Sequence, residues 1–255
     1  MSDSDPVLVS RDGRVAVVTL NRPSKMNALS AVVCEQIVKL MAEFDEDDEV
    51  GAVVITGAGD RAFCAGMDLT ELSLNVNRRF NPYEAIERTR KPTIAAVNGV
   101  CMTGGLEIML ACDLAVGSTT ARYADTHVRL GAIATSAGLA RLARHVGLAR
   151  AKEMQMTGNF VDGQHALTIG LVNHAVQPDQ VLPKALSIAH SMADAPHYRR
   201  VLDFKRTLDA TFATTLAEAY TLLPEMSRQA GRASDEELVR FKDEIKIRGR
   251  DQMKT

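Results

Sequence analysis

Glu107 and His127 are the side chains of this sequence best placed by their neighbours to exchange protons. The stretch Ala95-Ala-Val-Asn-Gly-Val-Cys-Met-Thr-Gly-Gly-Leu-Glu107 reads as a buried strand, a glycine-rich turn, and a helix with a carboxylate in its first turn. Such a turn presents backbone N–H donors, and the helix start adds positive potential beside them. A second turn of similar make lies upstream, where Val53-Val-Ile-Thr-Gly57 runs into Phe63-Cys-Ala-Gly-Met-Asp68. Two N–H groups aimed at one carbonyl oxygen form an oxyanion hole, which stabilises a developing enolate or tetrahedral anion. The plainer alternative is tight packing at two strand ends, with Glu107 a helix-start carboxylate of no chemical task. His127, in Asp125-Thr-His-Val128, has a reference pKa of about 6.5 and can give or take a proton near neutrality. Its plainer alternative is a structural imidazole after a short strand.

Other chemistries find little support. Gly57-Ala-Gly-Asp-Arg-Ala62 imitates a dinucleotide fingerprint, but that motif must open a long helix, with an acidic residue beyond the next strand. Here Phe63-Cys-Ala-Gly66 continues as a loop, and no phosphate-binding G-x-x-x-x-G-K-[ST] occurs. The four cysteines lack Cys-x-x-Cys spacing and sit in apolar surroundings, as buried free thiols of a reducing compartment do. The six histidines form no His-x-x-x-His pair, so no metal is called for. A net charge of −2 offers no basic face for nucleic acid or an anionic membrane. No apolar run reaches the ~18 residues of a membrane span. The polar, acidic start Met1-Ser-Asp-Ser-Asp-Pro6 is unlike a secretory or transit peptide. A cytoplasmic location is the expectation.

The elements that must position these groups alternate. Val7–Val9 and Arg14–Leu20 read as strands joined by a turn at Asp12-Gly13. Ser30 caps a helix running to about Asp47. Val50–Thr56 is a continuous apolar strand, covered on both faces. Pro92 precedes another such strand at Thr93–Val97, and a helix starts at Gly104. Leu114–Gly117 and Arg122–Ala124 read as short strands. Helical patterns then dominate: Gly138–Val146, Ala149–Met156 and Asp162–Ile169, and, after a last strand at Val172–Val176, Asp179–Ala193, His197–Ala213, Leu216–Gln229 and Ser234–Arg248. The class is α/β with spiral-like repetition, dividing into a core at 1–195 and a C-terminal helical region at 196–255.

Three segments together resemble the signatures of the enoyl-CoA hydratase/isomerase (crotonase) superfamily. They are Asn21-Arg-Pro-Ser-Lys-Met-Asn-Ala-Leu29, Ala62-Phe-Cys-Ala-Gly-Met-Asp68 and Val97-Asn-Gly-Val-Cys-Met-Thr-Gly-Gly-Leu-Glu107. Met156-Thr-Gly-Asn-Phe-Val-Asp162, Ala166 and Gly170-Leu-Val-Asn173 are similar to the family's downstream segment. The resemblance implies a spiral of ββα units with a C-terminal helical region that makes trimers, often paired into hexamers. It implies a coenzyme A thioester as ligand, with no metal or redox cofactor, since coenzyme A is part of the substrate. By the same resemblance the oxyanion-hole donors fall on Ala65 and Gly104. The coenzyme-binding strip falls on Ser24, Lys25, Met26 and Ala28, and on Ala65, Gly66, Met67, Asp68 and Leu69. Lys25 suits a phosphate, and segments 69–80 and 81–89 suit the wall of an acyl pocket.

In the hydratases two glutamates hold a water against the double bond; one activates it for attack on Cβ and the other supplies a proton to Cα. Glu107 matches the first. The second maps onto Ala121-Arg-Tyr-Ala-Asp-Thr-His127, where this chain has His127. The family's Ile-Pro-Gly-x-Gly loop here reads Ile133-Ala-Thr-Ser-Ala-Gly138, and the tail keeps Phe241 without the usual Pro-x-Phe. Three readings follow: a trans-2-enoyl-CoA hydratase with His127 as altered partner, a 3,2-enoyl-CoA isomerase or other enolate chemistry using the single carboxylate, and a non-catalytic acyl-CoA-binding protein.

Overall fold

The computed structural model describes residues 5–71, 80–134, 138–212, 214–231 and 234–252. Most of the segment expected at 69–80 and residues 135–137 of the altered loop lie outside the described residues. The chain divides into two compact units, Met1–Leu202 and Asp203–Thr255.

The first unit is built from repeated strand–strand–helix steps. They run β1 (Val7–Asp12), β2 (Val15–Leu20), α1 (Ala31–Glu46); β3 (Ala52–Gly57), β4 (Ala62–Cys64), α2 (Pro82–Arg88); β5 (Thr93–Val97), β6 (Val100–Met102), α3 (Gly104–Ala111); and β7 (Leu114–Ser118), β8 (Arg122–Ala124), α4 (Gly138–Val146). From the second step on, the leading strand joins one sheet and the trailing strand another. The larger sheet has the order β1-β2-β3-β5-β7-β10 and the smaller β4-β6-β8-β9, with β9 at Val161–Asp162 and β10 at His174–Val176. Among the described strands only the β1–β2 and β8–β9 pairs are antiparallel. This is the expected spiral of ββα units. The second sheet is the part that the sequence pattern does not reveal.

Both faces of the larger sheet are covered, and its alternation shows how. Ala16, Val18, Val53, Ile55, Ala95 and Val97 enter one apolar cluster with α1 and α3. Their neighbours Val15, Val17, Ala52, Val54, Ile94 and Ala96 enter another, against Val181, Ala185, Ala189 and Ala193 of α7 (Val181–Ala193). A strand apolar at every position is what two covered faces require. Ser30 caps α1 by accepting from the Val33 N–H at 3.3 Å. α5 (Leu148–Thr157) and α6 (Gly163–Thr168) complete the unit's helices. The four cysteines are free and buried, and burial pushes the Cys64 thiol up to about 12 and Cys34 to about 11.

The division between the two compact units falls inside α8 (Tyr198–Phe212). Its first turn belongs to the first unit, where the Arg14 guanidinium lies 4.6 Å from the centre of the Tyr198 ring. The second unit holds the rest of α8, then α9 (Leu216–Ala230) and α10 (Asp235–Gln252). α9 starts on a reciprocal capping box between Thr215 and Glu218. No described helix is long and apolar enough to cross a membrane.

Candidate active site

Three parallel neighbours in the smaller sheet, β4, β6 and β8, end side by side. Past their C-terminal ends come Ala65–Asp68, Thr103–Glu107 and Asp125–His127. The carboxyl ends of parallel strands are where open α/β folds collect ligand-binding groups. The spiral thus brings three distant chain segments to one place.

The two glycine turns meet. A Cβ built on Gly66 would lie 3.2 Å from the Gly104 nitrogen, and one on Gly104 would lie 3.3 Å from both the Gly66 Cα and the Met67 nitrogen. Gly66 has φ +94, a conformation that L side chains rarely adopt. The structure corrects the assignment of Ala65, because its N–H is donated to the Met26 carbonyl at 3.0 Å. The next N–H, of Gly66, goes to the Cys64 sulfur at 3.4 Å, and it is the Met67 nitrogen that lies beside Gly104. Leu29 and Met67 form a parallel bridge, in which the Leu29 N–H reaches the Gly66 carbonyl at 2.8 Å and the Asp68 N–H reaches the Leu29 carbonyl at 2.9 Å. Flanking groups bonded on one side leave the Met67 N–H turned to the other. Gly104 is the first residue of α3, where helical hydrogen bonding begins only with the Glu107 N–H on Thr103 at 2.9 Å. Met67 and Gly104 are therefore the candidates for paired donors.

Thr103 sets that turn from a strained backbone, φ 52 and ψ −113, in a region that non-glycine residues seldom occupy. Its hydroxyl lies 2.5 Å from that of Thr126 and accepts the Thr126 N–H at 3.3 Å. The donor turn is tied in this way to the segment bearing His127.

Glu107 is not a solvated helix-start carboxylate. Every residue of α3 is buried, and Glu107 itself is only 7% exposed. A carboxylate in such surroundings costs several kcal/mol unless polar groups meet it. The Tyr83 phenol on α2 hydrogen-bonds it. Burial first, and then the Glu107 charge, hold the Tyr83 pKa well above its usual value, so the phenol keeps its proton. The Tyr83 hydroxyl also lies 3.5 Å from the Met67 sulfur and 2.8 Å from a Cβ built on Gly104. Tyr83 is a site residue that the sequence conceals, since one aromatic on a short helix reads as wall.

His127 opens a 3₁₀ turn (His127–Leu130), and its Nδ1 lies 2.6 Å from Asp125 Oδ1. Asp125 is buried and also receives Gln155 Nε2 of α5 on Oδ2 at 3.2 Å. The hydrogen bond to Asp125 is the main cause that raises the His127 pKa above 6.5; burial opposes it, and the Asp125 and Glu107 charges reinforce it. Glu107 and His127 thus follow neighbouring strands of the smaller sheet, β6 and β8.

The strip at 22–29 is locked onto the 65–68 turn. Ser24 and Lys25 are exposed on a 3₁₀ turn (Pro23–Lys25), and Leu69 is exposed across from them in sequence. Met26 and Asn27 both take positive φ, 52 and 56. Buried Asn27 holds this bend by accepting the Arg22 N–H at 3.0 Å and donating to the carbonyls of Ala58 at 3.0 Å and Ala62 at 2.7 Å. Ala28 donates its N–H to Lys25 and accepts Arg22 Nη1 at 2.7 Å. The Asp68 carboxylate is engaged by Thr70 at 2.7 Å and Arg22 at 2.8 Å, which hold its pKa at about 2. Asp68 thus fixes the strip from within. Among the described residues no set of His, Cys, Asp and Glu is arranged to hold a metal.

The sequence model of the family described as Enoyl-CoA hydratase/isomerase matches residues 10–248. The Short-chain-enoyl-CoA hydratase of Clostridium acetobutylicum is 38% identical over 199 residues, 74% of this chain and 76% of its own length. Enoyl-CoA hydratase from Bacillus anthracis superposes with a TM-score of 0.86 at 28% identity, covering 94% of this chain and 97% of that one. A monofunctional enoyl CoA isomerase from M. smegmatis gives a TM-score of 0.73 at 33% identity, covering 85% and 98%. With its ββα spiral, its paired turns and Glu107 at the head of α3, this chain belongs to the enoyl-CoA hydratase/isomerase family.

Proposed function

We propose that the protein is an enzyme that adds water to trans-2-enoyl-CoA thioesters through an enolate. The observation that carries this reading is a buried Glu107 at the head of α3, beside the turns of Met67 and Gly104, with His127 on the neighbouring segment that Thr126 fastens to Thr103. The thioester oxygen accepts both N–H groups, which stabilise the negative charge as it develops. Glu107 takes a proton from water as the water oxygen bonds Cβ, and the His127 cation gives its proton to Cα. Glu107 ends with the proton taken from water and His127 without one, and exchange with solvent resets both. Coenzyme A is part of the substrate, and no separate cofactor enters. Ser24 and Lys25 offer a hydroxyl and a cation to its phosphates, and Met26, Ala28, Gly66 and Leu69 line the strip along which it lies.

The test is loss of the conjugated enoyl absorbance of crotonyl-CoA, with His127→Glu alongside. The native protein turns over, and His127→Glu retains or gains activity because it restores the second carboxylate. An inactive native protein that gains activity as His127→Glu has an intact scaffold and another task. The second reading is a 3,2-enoyl-CoA isomerase, in which one group carries a proton between C2 and C4. Two observations favour it: the Asp125 carboxylate is bonded to the His127 ring, which leaves Glu107 as the candidate carboxylate among the described residues of the site, and the M. smegmatis relative is described as an isomerase. Turnover of a 3-enoyl-CoA without hydration of crotonyl-CoA would establish that reading.

A homotrimer, or a pair of trimers, working in the cytoplasm completes the proposal. Its support is Phe204, Leu208 and Phe212, which recur every fourth residue on α8 at 69%, 64% and 67% exposure. An apolar stripe of this kind is an interaction surface. Light scattering should give three or six times 27.7 kDa, and Phe204→Glu with Leu208→Glu should lower it toward a single chain.

A further inference from the structure

We infer that Asp125 is a positioning residue: it holds His127 as a cation whose proton-exchanging nitrogen is Nε2. The inference rests on the reading of His127 as a proton carrier and adds the group that makes it one. Asp125 Oδ1 takes both the backbone N–H of His127 at 3.2 Å and its Nδ1 at 2.6 Å. An acceptor with no hydrogen of its own, placed on Nδ1, keeps a proton there in either charge state. Nε2 is then the nitrogen that gains and loses the second proton.

Asp125 is itself held. Gln155 donates to its other oxygen at 3.2 Å, and the next residue, Thr126, is fastened to Thr103 at the donor turn. The charged groups acting on His127 are Asp125 from its own segment and Glu107 from α3. From α5, which packs on the same turn, the side chain that reaches the pair is Gln155, and it is neutral. An aspartate 6% exposed is expensive to keep without a cationic partner. The pair therefore stabilises its two charged halves together.

This arrangement differs in kind from two carboxylates. A neutral carboxylic acid must be kept protonated at neutral pH to deliver a proton, whereas an Asp-held imidazolium is already loaded. The bond to Cα forms as the Nε2–H bond breaks, and its electron pair returns to the ring, leaving neutral imidazole with its proton on Nδ1. Solvent then reloads Nε2. Because the Asp125 bond raises the His127 pKa, the loaded form persists above pH 6.5, and activity falls as pH rises through the raised value.

The experiment uses the whole protein labelled with ¹³C-histidine, its ring signals titrated by NMR without substrate, in native, Asp125→Asn and Gln155→Leu forms. His127→Gln assigns the signal. In Asp125→Asn the midpoint should fall by about one pH unit or more, and the alkaline limb of kcat for crotonyl-CoA should move down with it, lowering kcat at pH 8 about tenfold. Gln155→Leu should give a smaller shift in the same direction. In a His127→Glu background, Asp125→Asn should cause no further loss, since Asp125 acts through the imidazole. An unchanged midpoint in Asp125→Asn, or an equal loss in both backgrounds, would overturn the inference. If the native protein does not hydrate crotonyl-CoA, the hydratase reading falls, and the titration alone decides whether Asp125 controls His127.

Discussion

Glu107→Gln should lower turnover of crotonyl-CoA by ~10²–10⁴-fold, the usual range for removing a positioned general base. Glutamine has nearly the shape of glutamate and still accepts the hydrogen bond of the Tyr83 phenol. The change therefore removes the basic oxygen and the charge while leaving the packing of α3, where every residue is buried. Binding of a saturated thioester such as butyryl-CoA, measured by calorimetry, should change little, because its carbonyl meets the Met67 and Gly104 donors and not the carboxylate. The thermal midpoint should hold or rise, because a charge leaves the core and a hydrogen-bonded amide replaces it. Residual activity should lose its alkaline limb earlier, since the Glu107 charge is one of the influences that raise the His127 pKa. Undiminished turnover would exclude Glu107 as the base. Unaltered binding with no turnover in either form would favour a protein that only holds acyl-CoA.

Much of this site could be read from residue types because the relevant physics is local. Ser30 announces a helix start, Pro92 a strand entry, and Gly104-Gly105 before Glu107 a strand–turn–helix unit. What escaped depends on contacts between distant segments. Strand β6 is three residues between Gly99 and Thr103, too short to show a period, so the smaller sheet is invisible until β4 and β8 flank it. Ala65 and Met67 occupy the same turn, and residue type does not say which N–H looks toward Gly104. Met26, taking the Ala65 N–H, and Leu29, bridging Met67, decide it. Asp125 is an ordinary turn residue in sequence, and its bonds to His127 and to Gln155 of α5 show only in the fold. Asp68 runs the other way: it sits in the signature segment, yet Arg22 and Thr70 occupy its carboxylate. Pro196 is a local boundary signal, whereas the contact of Arg14 with Tyr198 on α8 is between distant segments and has no local signal.

Gly104→Ala should reduce turnover by ~10²–10³-fold, the loss that follows from removing one oxyanion donor. The backbone N–H of residue 104 survives this change, so the effect comes from where the methyl goes. It would stand 3.3 Å from the Met67 nitrogen and 3.3 Å from the Gly66 Cα, between the two donors, where the thioester oxygen must sit. Its closest neighbour is the Tyr83 hydroxyl at 2.8 Å, the end of a side chain, so the fold can accommodate it by moving that ring. Circular dichroism should accordingly match the native protein, and the thermal midpoint should fall only modestly. Combining it with Tyr83→Phe separates crowding from blockage. The shorter ring makes room for the methyl and restores stability, but activity should stay low because the methyl still covers the Met67 N–H. Recovery of turnover in the double variant would mean that the single change acts through its clash with the Tyr83 hydroxyl and not by covering the Met67 N–H, and that catalysis can do without the phenol. Unlike Glu107→Gln, this variant should also weaken butyryl-CoA binding, since the saturated carbonyl uses the same two donors. The pair of substitutions thus divides the site into a part that binds and polarises the thioester and a part that moves protons.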